Sequence, residues 1–550
     1  MSSQNDTEEG AVGRGPVRRL RPEHYTLASL LLLLVACLRV ASTYPVFSET
    51  ADEPMHISAG MQILEEQRYA MQLENPPLPR VAFGMLPHLA GLEYQPDGSI
   101  ADRAHRILFS GGRYVRNLGL ARAGNLIFFI IAALAVWGWA HVEAGKLTGL
   151  LAMLLFTTQP ALLGHGGLAT HDVPALAGVA ASLFAFILFL RRPGLIRMAG
   201  LGVAFGFAIL CKFSSIGYVP LACAAILAVR LANEPATWKR TVWRMAIYVP
   251  VALLVAGVVI WAGYGFTVGT IGSVAGLNLD AGDTVTSLLA PLWNSMPLPA
   301  PRFFAGVAGL AQINRSGFLA YACGMTSYDG WWWYFPLAIA LKTTIPFLLL
   351  IVAAIACRKT PLEGLARDGA AASAAILLPA MLGHLNLGIR YVLPIFAPLT
   401  IVAAASASAL LLRRWRVWQA AGALLISAHL VSSIAAHPHY MAYFNAIAGR
   451  DPSYYLVDSN LDWGQDALLF VQTCHRENIR PIAIAVFTST DLRRLGIPRD
   501  TTLLSDLPVQ GWVAISDTVY RMGRANGSWD WLKHRRYRRI GRSIRVYRID

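Results

Sequence analysis

The chain has 550 residues, 55% of them hydrophobic and 14% charged, with a mean hydropathy of +0.46; this composition excludes a string of soluble domains and points to a polytopic membrane protein. A formal net charge of +15 would suit nucleic acid if the cations formed one stripe, but they lie between apolar segments, so no nucleic-acid partner is expected. The six cysteines are widely spaced without a C-x-x-C pair, which gives no sign of a zinc or dithiol centre. Cys323 and Cys474 are left as one conceivable disulfide.

A membrane helix needs about 20 apolar residues, and on that measure about eleven spans are predicted, at 25–43, 118–139, 147–163, 173–190, 198–210, 216–231, 245–266, 331–356, 370–387, 391–412 and 417–436. Alternate connections carry the cations. These are Arg14, Arg18, Arg19 and Arg21; Arg191, Arg192 and Arg197; Lys239, Arg240 and Arg244; Arg358, Lys359 and Arg367; and Arg413, Arg414 and Arg416. The positive-inside rule puts them in the cytoplasm. Residues 1–24 then form a cytoplasmic tail and 25–436 a transmembrane body, with a first outer loop at 44–117 and a long outer loop at 267–330. Residues 437–550 form an exoplasmic domain. Its alternating segments at 511–515 and 543–547 suggest strands of a small α/β fold. The first span reads as an uncleaved anchor.

The chemistry-bearing residues cluster on the outer side. Directly after the first span come Asp52 and Glu53, followed by Pro54 and His56. One carboxylate, Asp52, is suited to take a proton from an attacking acceptor, with Glu53 or His56 orienting it. The same residues also fit a solvated turn or a helix start. The run Asn75-Pro76-Pro77 makes a rigid turn, and the apolar segment after it is suited to lie along the interface and roof a site. The third span leads to His171 and Asp172. The latter is a second candidate acid or the cap of a helix.

A departing lipid phosphate needs cations at the membrane surface. Lys212, and Arg390 with its neighbour Tyr391, stand outside the cytoplasmic pattern of positive charge; snorkelling to headgroups is the alternative. Lys342, about 16 Å of helix beyond Trp331, is placed deep in the hydrocarbon, where an ammonium needs a partner or a wet cavity. Trp331, Trp332 and Trp333 read as an interfacial belt or as a platform for a sugar or isoprenoid. The run from Asp458 to Asp466 alternates oxygen ligands as a calcium loop does, but Trp463 and Leu469 stand where Gly and Glu are required. A polar turn packing the C-terminal domain onto the body fits it better. No cofactor is indicated; a divalent metal is left open, with no ligand cluster that requires one.

In order along the chain, several segments carry a resemblance: Asp52-Glu53 with His56 and Gly60; Asn75-Pro76-Pro77-Leu78; the glycine-rich stretch into His171-Asp172; Lys212-Phe213; Lys342 with Pro346; Gly388 to Pro394; and Tyr443-Phe444-Asn445 leading into Asp458 to Asp466. From about Tyr25 onward the sequence resembles the bacterial family 39 glycosyltransferases, relatives of protein O-mannosyltransferases and lipid A aminoarabinose transferase. The resemblance implies an all-α polytopic GT-C fold and transfer from a polyprenyl-phosphate sugar with inversion. It makes Asp52 the catalytic base and Asp172 a second acid of the cleft. The sequence departs from the family in its C-terminal domain, which is not a β-trefoil, and at Asn75, where many relatives carry His. The expected partners are a polyprenyl-phosphate-linked sugar, membrane lipids and an acceptor that is a protein, lipid or glycan. The expected location is a bacterial inner membrane. A transporter of lipid-linked sugars is the alternative; it requires paired broken helices in two related halves. A non-catalytic assembly factor is the third reading.

Overall fold

The computed structural model describes residues 22–274, 295–354 and 358–550. The tail cations Arg14, Arg18, Arg19 and Arg21, residues 275–294 of the long loop, and Cys357 lie outside the described residues. In chain order the helices are α1 (Pro22–Ala41), α2 (Glu53–Glu66), α3 (Pro77–Leu89), α4 (Ile100–Leu108), α5 (Tyr114–Ala123), α6 (Leu126–Thr157), α7 (Pro160–Gly166) and α8 (Asp172–Arg191). There follow α9 (Leu195–Cys211), α10 (Ser215–Asn233), α11 (Trp238–Gly263), α12 (Pro301–Ser316), α13 (Tyr334–Lys342), α14 (Ile345–Val352), α15 (Glu363–Met381), α16 (Phe396–Leu411) and α17 (Arg416–Ala435).

Among the described residues seven helical segments are long and apolar enough to cross a membrane, or eight if one bent pair counts as a span. Their outer faces carry what lipid requires: Leu27, Leu31, Leu34 and Leu38 of α1 are all at least half exposed, a pattern that water would penalise. The innermost segment is Ile389–Leu411, whose apolar window is wholly buried. It packs against α6, α8 and α15.

Two predicted spans change, and two others are joined by a sharp turn. The expected spans 118–139 and 147–163 meet at Gly145, which adopts φ 82°, a conformation glycine tolerates without strain. A Cβ on Gly149 would stand 3.0 Å from Cβ of His141. On a straight helix residues eight apart are about 12 Å apart, so the chain folds back at Gly145 and the two spans are limbs of a hairpin. The predicted span 331–356 is not straight: α13 and α14 meet at 114°, because Thr343 is extended and Thr344 caps α14 through Oγ1. The depth assigned to Lys342 therefore does not hold, since it closes a nine-residue helix instead of lying midway along a long one. The span expected at 370–387 is shifted to Glu363–Met381. Its charged first turns are neutralised from α10, where Arg230 donates to Asp368 at 2.6 Å.

The C-terminal region is a five-stranded sheet of β5 (Ile482–Ala485), β6 (Thr501–Leu503), β7 (Gly511–Ser516), β8 (Arg538–Ile540) and β9 (Ile544–Ile549); the short antiparallel pairs β1–β2 (Val268–Gly269, Leu298–Pro299) and β3–β4 (Ala320–Ala322, Met325–Ser327) precede it. The order is β6-β5-β7-β9-β8. β5 runs parallel to β6 and β7, and β9 antiparallel to β7 and β8. α18 (Ala467–Arg476) covers one face and α19 (Asp517–Ala525) the other. This is the small α/β unit expected from the alternating segments. Cys323 and Cys474 are both free thiols, so the conceivable disulfide does not form.

Between the first two apolar segments, α2 and α3 touch backbone to backbone. A Cβ on Gly60 would lie 2.0 Å from the Arg80 carbonyl oxygen, and one on Gly84 2.7 Å from the Gly60 carbonyl carbon. Small residues permit that approach and larger ones do not. Replacement Gly60→Ala is expected to destabilise the protein by about 3 kcal/mol, since main chain cannot yield as a side chain does. Thermal unfolding of the purified variant in detergent checks this; an unchanged midpoint would show that the two helices are not locked.

Candidate active site

The sequence places two acids side by side at the start of α2, and the fold gives them opposite environments. Glu53 is fully buried. Its two oxygens accept from Nε and Nη2 of Arg122, both at 2.8 Å, and from the amides of Thr50 and Ala169, also at 2.8 Å. Arg122 uses its remaining donors on the carbonyls of Phe47 and Ser48. Glu53 is therefore no free acid or acceptor-orienting group, which corrects the catalytic role expected for it: every lone pair that points anywhere points to a protein donor. Arg122 was missed. Its signal was an arginine inside an apolar predicted span, where a charge demands a partner.

Asp52, one residue earlier, stands at the N-cap position of α2 without a side-chain capping bond and remains 27% exposed in its side chain. Its Oδ2 accepts from Nη1 of Arg390 at 2.6 Å. Arg390 and Tyr391 sit in a 3-10 turn that leads into α16. The guanidinium lies 5.0 Å from the Tyr391 ring centre and 4.2 Å from that of Trp463. Nζ of Lys212 also stands 5.0 Å from the same ring centre and donates to Asp172 Oδ1 at 2.7 Å. Asp52, Arg390, Tyr391, Lys212 and Asp172 thus form one continuous array drawn from α2, the 3-10 turn, the end of α9 and the start of α8. Cation and ring contacts of this kind each stabilise by about 0.5–2 kcal/mol, and they fix the planes of the charged groups.

Two histidines complete the wall. The rings of His56 and His171 meet edge to face with centres 4.3 Å apart. His171 Nε2–H donates to the Pro76 carbonyl at 3.1 Å. Burial, with the charge of Arg80 beside it, lowers the His171 imidazole to about 3. Burial also holds His56 well below the usual imidazole range, joined by His171 and by the charges of Arg80, Arg390 and Lys212. Both rings are neutral at ordinary pH. Nδ1 of each, and Nε of Arg390, are buried with no hydrogen-bond partner in the protein, so the wall offers polar atoms to a ligand. Asn75 is half-buried, its carbonyl accepting from the Tyr69 hydroxyl.

Lys342 does not belong to this array. Its ammonium is 1% exposed, donates to the carbonyls of Met441, at 2.6 Å, and Asn460, and lies 4.4 Å from the Phe444 ring centre. It ties the α13–α14 break to the segment after the last span, and the substrate contact expected of it is corrected accordingly.

The turn from Asp458 to Asp466 does pack the C-terminal domain onto the body, but it also enters the site. Trp463 stacks on Arg390, and Ser48 N–H and Ala51 N–H donate to the carbonyls of Gln465 and Trp463. Burial raises the Asp458 carboxyl to about 6, opposed by Arg390 and reinforced by Asp52, so the three groups share one field. Among the described residues no group of three His, Cys, Asp or Glu side chains is placed to hold a metal ion.

With that geometry in view, residues 117–261 match the family model described as dolichyl-phosphate-mannose-protein mannosyltransferase. No curated protein matches the chain by sequence. Three solved structures illustrate its fold neighbours. ArnT from Cupriavidus metallidurans bound to undecaprenyl phosphate shares 14% identity across 95% of this chain and 98% of its own, with a TM-score of 0.49. The archaeal oligosaccharyltransferase AglB from Archaeoglobus fulgidus, in complex with an inhibitory peptide and a dolichol-phosphate, shares 12% across 90% and 70%, at 0.44. The arabinosyltransferase EmbB from Mycobacterium smegmatis shares 11% across 72% and 32%, at 0.38. The family-model match agrees with the resemblance drawn from the motifs over residues 117–261, about a quarter of the chain.

Two outcomes follow. Because Arg122 and Glu53 are both enclosed, Glu53→Ala leaves a buried uncompensated guanidinium, and a loss of about 3–5 kcal/mol is expected; a variant that melts like the wild type would refute the ion pair's role. Asp462 accepts from the Thr518 amide at 2.8 Å, and burial raises its carboxyl to about 7. Its folded value lies above the unfolded value of about 3.9. Its contribution to stability is therefore full below about pH 4 and is lost as pH rises toward 7. The melting point of wild type relative to Asp462→Asn should fall across that window, and a constant difference would contradict the assignment.

Proposed function

We propose that this protein transfers a sugar from a polyprenyl phosphate to an acceptor on the outer face of the membrane, with inversion at the anomeric carbon. The observation that carries the reading is the array Asp52–Arg390–Tyr391–Lys212–Asp172: a reachable carboxylate is hydrogen-bonded to a cation, and a second cation contacts the same tyrosine ring. The family model supports the donor class.

In this reading Asp52 takes the proton of the acceptor O–H or N–H while that atom bonds to the anomeric carbon. The carbon–oxygen bond to phosphate breaks, and its electron pair stays on the phosphate oxygen. Arg390, through its unpaired Nε–H, and Lys212 face the dianion that forms, and charge held in place before reaction favours the transition state most. A guanidinium fork suits two phosphate oxygens. Asp172 keeps Lys212 oriented, and neutral His56 and His171 offer hydrogen bonds without competing for the proton.

The transporter reading calls for paired breaks in two related halves. Among the described residues one bent pair is present, α13 with α14, and it is closed by Lys342 onto main-chain carbonyls.

The test is release or transfer of sugar from a panel of radiolabelled polyprenyl-phosphate sugars by purified protein in lipid. Asp52→Asn, nearly isosteric, is expected to lower turnover by about 10²–10⁴-fold with an unchanged melting point. Arg390→Ala is expected to raise the donor KM by about tenfold or more, the value of a charged hydrogen bond. Equal turnover by wild type and Asp52→Asn in active preparations would remove Asp52 as the base.

A further inference from the structure

The end of the C-terminal sheet remote from the membrane body carries a second feature that transfer chemistry does not use. An open groove of about 450 Å³ is lined there by Trp512, Val546 and Ile479 together with Arg536, Arg538 and Arg548. Glu477 is the carboxylate in its wall, and it is already covered by Arg538 and by Arg476 at 3.5 Å. Arg536 and Arg548 have no carboxylate partner among the described residues. Lys533, His534 and Arg535, all exposed, extend the positive charge along the rim. Arg548 lies 5.4 Å from the Trp512 ring centre.

The topology sets where this groove faces. The domain meets the body through Trp463 to Asp466, where Ser543 N–H donates to Asp466 at 3.0 Å and Thr518 N–H to Asp462. In the antiparallel pair of β7 and β9, Ser516 opposite Ile544 lies at that junction, whereas Trp512 opposite Arg548 lies four residues away, or about 13 Å. α18 leaves the junction at Ala467 and reaches Arg476, beside the groove, after about 15 Å. The groove therefore opens away from the membrane body.

We infer that this groove binds an anionic polysaccharide: guanidinium groups pair with its carboxylates or sulfates, and a sugar ring lies against the partly buried Trp512. Forked donors suit planar acids, and an indole face suits the C–H face of a sugar ring. An acidic peptide joining the sheet is disfavoured, because the edge strand β8 is three residues long and carries two arginines, features that block strand addition. Lipid headgroups are disfavoured by the direction in which the groove opens. The inference rests on the outer-face placement proposed above, but not on the transfer step.

The test uses the full chain carrying Asp52→Asn in nanodiscs of zwitterionic lipid, titrated with oligogalacturonate, dextran sulfate and neutral dextran of similar length. Both anionic glycans are expected to bind, more weakly as salt rises, and neutral dextran is not. The double variant Arg536→Ala/Arg548→Ala is expected to weaken binding at least about tenfold. Trp512→Ala is expected to weaken oligogalacturonate binding while leaving polyglutamate unaffected. Absence of binding by both anionic glycans overturns the inference. So does polyglutamate binding that matches oligogalacturonate and ignores Trp512→Ala, which marks a surface for acidic proteins. Binding to phosphatidylglycerol vesicles that the double variant abolishes also overturns it, in favour of a lipid surface. If wild-type protein transfers no sugar yet the glycans bind as expected, the enzyme reading fails and the groove stands.

Discussion

The buried pair of Glu53 and Arg122 is the constraint on which the site is built. It joins the start of α2, the loop of Phe47 and Ser48, the helix α5 and the amide of Ala169 just before α8. An isolated charge in that environment is expensive, whereas a bidentate pair with every remaining lone pair satisfied is not. The arrangement admits little rotation, so Asp52, one residue away along the chain, inherits its position. Adjacent acids thus divide the work: one is spent to fix the backbone, and the other is left half-free against Arg390.

The same logic of spent and available charge runs through the cations. Lys342 and Arg122 are enclosed, with their donors on carbonyls or carboxylate, and they hold elements together. Lys212 and Arg390 each keep one carboxylate partner and share Tyr391. In a low-dielectric wall such pairs stay fixed in the absence of ligand, and fixed charges assist a reaction without reorganising. The neutral state of His56 and His171 follows from this crowding: four cationic or basic neighbours and full burial leave no room for another positive charge.

Much of this was legible in the sequence, and for identifiable reasons. Apolar runs and the alternation of cations gave most spans, because hydropathy is a local property. Asp52, Asp172, Lys212 and Arg390 were found because charges beside spans on the outer side break the pattern. The two limbs that meet at Gly145 were read as two spans from the lengths of their apolar runs. Partner identity was not legible. Glu53 was grouped with Asp52 because they are adjacent, and only packing shows that Arg122, 69 residues away, consumes it. Lys342 was placed by counting along a helix that breaks at Thr343 and Thr344. Trp463 was weighed only as the residue that spoils a calcium loop, since nothing in its local sequence reveals a guanidinium 73 positions earlier in the chain, as Arg390 is to it.

That last contact bears on how the protein is divided. The segment from Tyr440 to Asp466 follows the last span, yet it supplies Trp463 to Arg390, the Met441 and Asn460 carbonyls to Lys342, and the Gln465 carbonyl to Ser48. Asn460 also receives Ile389 N–H at 3.0 Å on its side-chain oxygen, directly before Arg390. The turn that presents Arg390 is therefore hydrogen-bonded to the first turns of the C-terminal region. Removing that region would unpair Lys342 and expose one face of Arg390 at once. The cleft and the base of the C-terminal domain are one folding unit, and the independent part of the domain begins near Ala467, where α18 turns away toward the arginine-lined groove.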